Sequence, residues 1–227
     1  MRDRVRGAGR TARDVLLGGT QVLATVVAAP LVRHRYNRWG AEGHEVIAPM
    51  PGDDLVAHPR LGYTRAITVR APVPSVWAWI VQLGQDRAGL YSFDGLENLV
   101  GCRIHSADRI VPALQRPAVD DLVRMGPDGF PCFRVALVDA PTDLVLVGAD
   151  PRPPHLAATA DGPGVATWQF ALRPVDGGSA TRLVVRQRLT FPDSTSLMWH
   201  VVEPVAFVME RQMLRGIRRR AESTGLS

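Results

Sequence analysis

Between Gln82 and Ile110 the chain gathers titratable side chains more densely than a surface helix would: Tyr91, Asp94, Glu97, His105 and Asp108, with Arg87, Arg103 and Arg109 among them. Such a set could do general acid–base work. A cyclase or dehydratase needs a base beside an acidified C–H and donors facing the enolate that develops. Tyr91, His105 and Asp108 are the catalytic candidates on that reading, with Arg87 beside them, provided they face a cavity. A structural reading competes with it. Asp94-x-x-Glu97 has the spacing of a helix capping box, and the arginines and carboxylates can pair to hold a loop punctuated by Gly84, Gly89 and Gly95.

Other chemistries find less in the sequence. His105-x-x-Asp108 sets two ligands one helical turn apart, too few for zinc, and His44, His58, His155 and His200 show no paired spacing, so no metal site is expected. No GxSxG elbow, P-loop or GxGxxG run is present, and no cofactor is expected. All 27 basic residues are arginine. Without a side-chain primary amine, Schiff-base catalysis is excluded. Cys102 and Cys132 lack CxxC spacing and read as two buried thiols. Basic ends give a net charge of +5, but no aromatic stacking repeat or reader motif accompanies them, and no nucleic-acid partner is expected.

The elements that must position these groups follow from periodicity. Residues 1–40 form a basic segment around Val15–Val32, eighteen residues without a charge, the lower limit for a membrane-spanning helix. The flanking arginines and the aromatic run Arg33–Trp39 suit a headgroup boundary, so this stretch reads as a membrane anchor or interfacial helix, with a helix packed on the domain as the alternative. Residues 41–62 read as a linker broken by proline and glycine. The domain proper spans 63–222. Tyr63–Val69 alternates as a half-buried strand, and Ser75 can cap a helix Val76–Leu83. A second short helix ends at Gly101. From Asp121 the period becomes two: strands at Leu122–Met125, Cys132–Val138, Leu144–Val147, Thr167–Leu172 and Thr181–Phe191 are separated by turn signals and by a loop over Pro151–Gly164. Arg182, Arg186 and Arg188 share one strand face, either a solvated outer face or a polar inner lining. A long helix closes the chain to about Glu222, with Pro204 in its first turn. Its stripe at helical spacing is Val205, Val208, Met209, Gln212, Met213 and Ile217, read as apolar. A curved antiparallel sheet wrapped on that helix is the simplest α+β arrangement to bury the stripe.

The stretches TRAITVRAP (Thr64–Pro72), VWAWIVQLGQ (Val76–Gln85), YSFDGLENLVGCRIHSADRI (Tyr91–Ile110) and EPVAFVMERQMLRGI (Glu203–Ile217) resemble the SRPBCC superfamily. That superfamily includes START lipid-transfer domains, pollen-allergen-like proteins and a bacterial subgroup labelled polyketide cyclase/dehydrase. The resemblance covers roughly residues 60–222. It implies a helix-grip fold with a deep apolar cavity between sheet and C-terminal helix, and it does not imply catalysis. The ligand-facing candidates are then Trp77, Tyr91, Glu97 and His105 from one side and Val205, Met209 and Met213 from the long helix. The expected function is binding or carriage of an apolar small molecule or lipid by a membrane-associated protein with a cytoplasmic domain. A polyketide cyclase/dehydratase using the 82–110 segment is one alternative. A membrane-associated interaction domain with a filled core is another.

Overall fold

The computed structural model describes residues 2–149, 166–193 and 196–224; the loop expected over 151–164 lies outside them. Six strands form one antiparallel, curved sheet: β1 (Leu61–Val69), β2 (Leu122–Arg124), β3 (Cys132–Asp139), β4 (Asp143–Ala149), β5 (Ala166–Val175) and β6 (Ala180–Leu189). Their order is β1-β6-β5-β4-β3-β2, so the first strand pairs with the last and leaves its other edge free. The helices are α1 (Arg2–Asn37), α2 (Gly43–Ile47), α3 (Val73–Ile80), α4 (Asp94–Leu99) and α5 (Ser196–Thr224). The fold is a helix-grip: the concave face of the sheet closes on α5, and α1 is an additional apolar helix laid outside it.

Three boundaries differ from the sequence reading. α3 begins at Val73, with Pro72 rather than Ser75 at its N-cap and Pro74 in the first turn. Proline is tolerated there because the first amides of a helix have no intrahelical partner. α4 is capped by Phe93 backbone, not by an Asp94–Glu97 box. Pro204 lies inside α5, not in its first turn. The helix continues through it because both flanks are held, by Phe207 and Val208 on one side and by the stacked pair Phe191–Trp199 on the other.

The two faces of β6 separate its residues. Leu183 and Val185 point to the core, while Arg182 and Arg186 point out. That outer face is not an inner lining between sheet and α5, and most of it is covered rather than solvated. Residues 40–57 fold over it, and the arginines bind the carbonyls that this glycine- and proline-broken segment cannot satisfy in a ladder. Arg182 forks onto the Glu45 carboxylate at 2.6 and 2.7 Å. Arg186 donates to Glu45, Val46 and Ala48 carbonyls and to Asp53, and Arg188 to those of Val56 and Ala57. Guanidinium, with five donors in a rigid fork, is suited to this as lysine is not.

Candidate functional site

The segment 82–110 is a strap whose polar groups hold its own backbone. Gln82, fully buried, donates to the Tyr91 hydroxyl at 2.8 Å and to the Arg109 carbonyl at 3.2 Å, and accepts from Val111 N–H and Gln115. Asp94 accepts from the Ser106 amide and hydroxyl at 2.7 and 2.5 Å. Asn98 clamps both backbone groups of Ile104. Gly84 and Gly89 bond to each other at 3.0 Å in both directions. Gly89 has φ +80°, and a Cβ there would stand 2.7 Å from Ser106 Cα. The arrangement is a compact loop held by Gln82, Asp94 and Asn98 rather than by the expected arginine–carboxylate pairs: Arg87 donates to the Val81 carbonyl, and its Nε is buried without a partner.

This placement separates the catalytic candidates. Tyr91 is buried, its ring at a right angle to Trp79 and beneath the Arg220 guanidinium. Burial pushes its phenol up to about 12. His105 is exposed, and Asp108 is exposed and paired with Arg220 at 3.2 Å. Glu97 is buried beneath α1 with one carboxylate oxygen lacking a partner. Burial, with the nearby Asp94 carboxylate adding to it, raises its carboxyl to about 8. Among the described residues no three His, Cys, Asp or Glu side chains converge. Cys102 and Cys132 are buried and form no disulfide, in keeping with two buried thiols.

The interior between the sheet and α5 differs from the resemblance's expectation of a deep cavity. Trp79, Trp168, Tyr91, Phe170, Leu214 and Ile217 fill it. A small cavity beside Ile80, Val123, Leu146 and Phe170 holds about 10 Å³, no more than the space of one water. Trp77 and Met213 are core residues here, whereas Val205 is half-buried and Met209 packs on α1. At the wide end of the grip the core becomes polar. Arg65 and Glu210 pair at 2.6 Å, Trp168 Nε1 and Gln187 Nε2 donate to Glu210 at 3.0 and 3.2 Å, and Tyr63 donates to Gln187 at 2.5 Å. The Arg65 guanidinium lies 3.9 Å over the Tyr63 ring and leaves Nη2 without a partner.

Beyond this polar floor lies a cleft of about 570 Å³. Its floor is Gly62–Thr64 and Arg186–Arg188, and its wall is the last two turns of α1, from Pro30 to Asn37, with Arg38 just beyond the helix end. Sequence reasoning missed this site. Its residues come from three distant segments that carry no common motif, and strand alternation alone does not say which edge stays free.

α1 reaches the cleft by docking on α5. Arg33 makes a bidentate pair with Glu203 at 2.8–3.0 Å, Asn37 donates to the same carboxylate at 2.6 Å, and Arg211 donates to Gln21 at 2.6 Å. Tyr36 stacks on Phe207 with centroids 5.2 Å apart. Gly18 lets the helix approach α4, since a Cβ there would stand 3.1 Å from Phe93. The docked face is Gly18, Val22, Ala29, Val32 and Tyr36. The opposite face is also apolar: Leu16, Leu23, Val27 and Leu31 are 70, 66, 74 and 90% exposed. Arg13–Asn37 is long and apolar enough to cross a bilayer, its most apolar 18 residues having a mean hydropathy of 1.9.

No family model and no curated protein matches the chain. Solved structures resemble it weakly. A protein from Arthrobacter aurescens is 16% identical over 78% of this chain and 92% of its own, with a TM-score of 0.42. A conserved protein from Geobacillus kaustophilus is 14% identical over 72% and 97%, with a TM-score of 0.42. A polyketide-cyclase-like protein from Corynebacterium glutamicum is 14% identical over 72% and 92%, with a TM-score of 0.36. Likenesses of this strength leave the function to be argued from the site.

Proposed function

We propose that the chain is a membrane-surface protein that binds a lipid-like small molecule, and that the outward face of α1 is what meets the membrane. One observation carries the reading: α1 is held to the domain between Gly18 and Asn37, yet presents a second apolar face to solvent. An isolated apolar residue on a surface needs no explanation, but a contiguous stripe does. Leu16, Leu23, Val27 and Leu31 recur at spacings of seven, four and four, which is one side of a helix. Exposed Arg13 precedes the stripe and exposed Arg35 follows it, the pattern of an interfacial helix. Crossing the bilayer would break the Arg33–Glu203, Asn37–Glu203 and Gln21–Arg211 contacts. The docking therefore supports a helix lying along the surface rather than through it. Free thiols suit a reducing compartment, and the domain is read as cytoplasmic.

The filled interior moves the ligand site of this reading to the cleft at the end of α1. The cyclase/dehydratase alternative gains no support from the placement of Tyr91, His105 and Asp108. Co-sedimentation of the full chain with phosphatidylcholine vesicles, with and without anionic lipid, tests the membrane contact. Wild type should pellet with vesicles, and Val27→Glu and Leu23→Glu should each stay in the supernatant. A wild-type chain that ignores both vesicle types would end the reading.

A further inference from the structure

We infer that the cleft at the free edge of β1 holds the anionic, hydroxyl-bearing head of an amphiphile whose tail runs out along Leu31 onto the α1 stripe. The inference rests on the lipid-binding reading and adds the chemistry of its ligand.

Charge comes first. Arg33, Arg38, Arg186 and Arg188 line the cleft, with His34. Two carboxylates answer them: Glu203 pairs with Arg33, and Asp53 with Arg186 at 2.7 Å and Arg188 at 3.5 Å. Positive charge is left over, and Arg38 makes no side-chain hydrogen bond or ion pair among the described residues. Its guanidinium stands beside the cleft as a fork for phosphate or carboxylate.

The backbone adds donors. β1 is an edge strand, and the Ala66 amide donates outward to the Trp39 carbonyl at 3.0 Å. Alternate residues of a strand direct their amides to the same side. Thr64 and Gly62, two and four residues earlier, therefore aim theirs at that same free edge, where the cleft runs. Gly62 also keeps this stretch of floor free of a side chain.

One wall group asks for something other than an anion. Asn37 Nδ2 is fixed on Glu203, which orients the amide and leaves Oδ1 buried without a donor. A buried acceptor is costly unpaired, and a ligand hydroxyl would satisfy it. Cations, edge amides and one orphan acceptor together describe an oxyanion with a neighbouring hydroxyl, as in a glycerol-phosphate head. The tail direction follows from Leu31, which lines the cleft and is also the last residue of the exposed stripe. A head bound in the cleft leaves its chain on the membrane side of α1.

The test is titration calorimetry of the full chain with four probes: monododecanoyl glycerol phosphate, dodecyl phosphate, dodecyltrimethylammonium and inorganic phosphate. The glycerol phosphate amphiphile should bind one to one and several-fold tighter than dodecyl phosphate, with the cationic amphiphile and free phosphate at least tenfold weaker than either. Arg38→Gln should weaken both anionic amphiphiles about tenfold and Arg38→Glu should abolish their binding, without a change in thermal unfolding. Equal binding of cationic and anionic amphiphiles, or an unaltered Arg38→Glu chain, overturns the head-group site. Inorganic phosphate binding as tightly as the amphiphiles would show a free-anion site and overturn the tail assignment. Leu16→Glu, fifteen residues along α1 from Leu31 and so roughly 22 Å from the cleft, past the end of a dodecyl tail, separates the two readings. If it loses vesicles but keeps the anionic amphiphile, both stand. If wild type binds the amphiphile through Arg38 but never binds vesicles, the cleft stands and the membrane reading falls.

Discussion

Arg65 Nη1 stands 2.6 Å from Glu210 Oε2 in a part of the core where neither side chain reaches solvent to any extent. β1 and α5, far apart in the chain, are joined by this charge pair, with Trp168, Gln187, Tyr63 and the Tyr36 carbonyl around it. Desolvating two charges is expensive, so the pair contributes less to stability than its distance suggests. It fixes instead how α5 is seated in the grip. Breaking it should therefore hurt more than replacing it. Arg65→Met or Glu210→Leu alone should lower stability by roughly 3–5 kcal/mol, since each strands a buried charge. The double variant should regain part of that loss, limited by the Trp168 and Gln187 donors left unpaired. Urea unfolding midpoints measure this, and single variants that unfold like wild type would refute it.

Glu203 holds α1 in place through Arg33 and Asn37. Glu203→Ala should free the last turns of α1 at a cost of about 1–3 kcal/mol, the range for a lost charge-assisted hydrogen bond. Limited trypsin digestion should then cut after Arg33, Arg35 and Arg38 at least several-fold faster, with the sheet intact. Unchanged cleavage would mean that the Tyr36–Phe207 stack alone suffices.

Glu97 gives the protein a pH dependence. Its carboxyl is raised from 4.5 to about 8 by burial first and by Asp94 second. The folded chain thus holds a proton that the unfolded chain releases near 4.5. The stability from this group is fully present below that value and is lost as pH climbs toward about 8. Glu97→Gln keeps the neutral shape. It should match wild type near pH 4.5 and exceed it by a growing margin up to pH 8, on the order of 1 kcal/mol per pH unit. Paired denaturation curves at the two ends read the effect, and a pH-independent difference would count against it.

Gly216 marks the closest approach of α5 to the strap, because a Cβ there would collide with the Tyr91 carbonyl oxygen. Gly216→Ala should be helix-favouring in isolation but destabilising here, by about 1–3 kcal/mol for an overpacked contact. A lower melting temperature checks it. A rise would mean that the strap can move aside.

Much of the fold was legible from local pattern. Strand alternation in β1, β5 and β6 and the turn at Asp176–Gly178 appear nearly where expected, and so does the long C-terminal helix. Two of the misplaced boundaries involve proline. The sequence reading puts Ser75 at the cap of α3 and Pro204 in the first turn of α5, yet Pro74 sits inside the first turn of α3 and Pro204 inside α5, because proline disrupts a helix only where an amide is needed or its ring clashes without compensation. Asp94 and Glu97 matched a capping box by spacing, but Asp94 met Ser106, twelve residues on, and the cap went unused.

What the sequence alone determined was an α+β chain with a curved antiparallel sheet and a terminal helix, an apolar N-terminal helix, and the absence of lysine chemistry. These follow from residue type and short-range periodicity. Tertiary structure decided that Tyr91 and Glu97 are buried while His105 is not, and that the outer arginines of β6 are covered by residues 40–57. It also decided that the core is filled and that a cationic cleft opens at the free edge of β1. Each of these depends on which distant surfaces meet. A residue's type limits what it can bond to, but only the packing of α1, β1 and α5 settles which partner it finds and which groups, such as Arg38 and Asn37 Oδ1, are left without one.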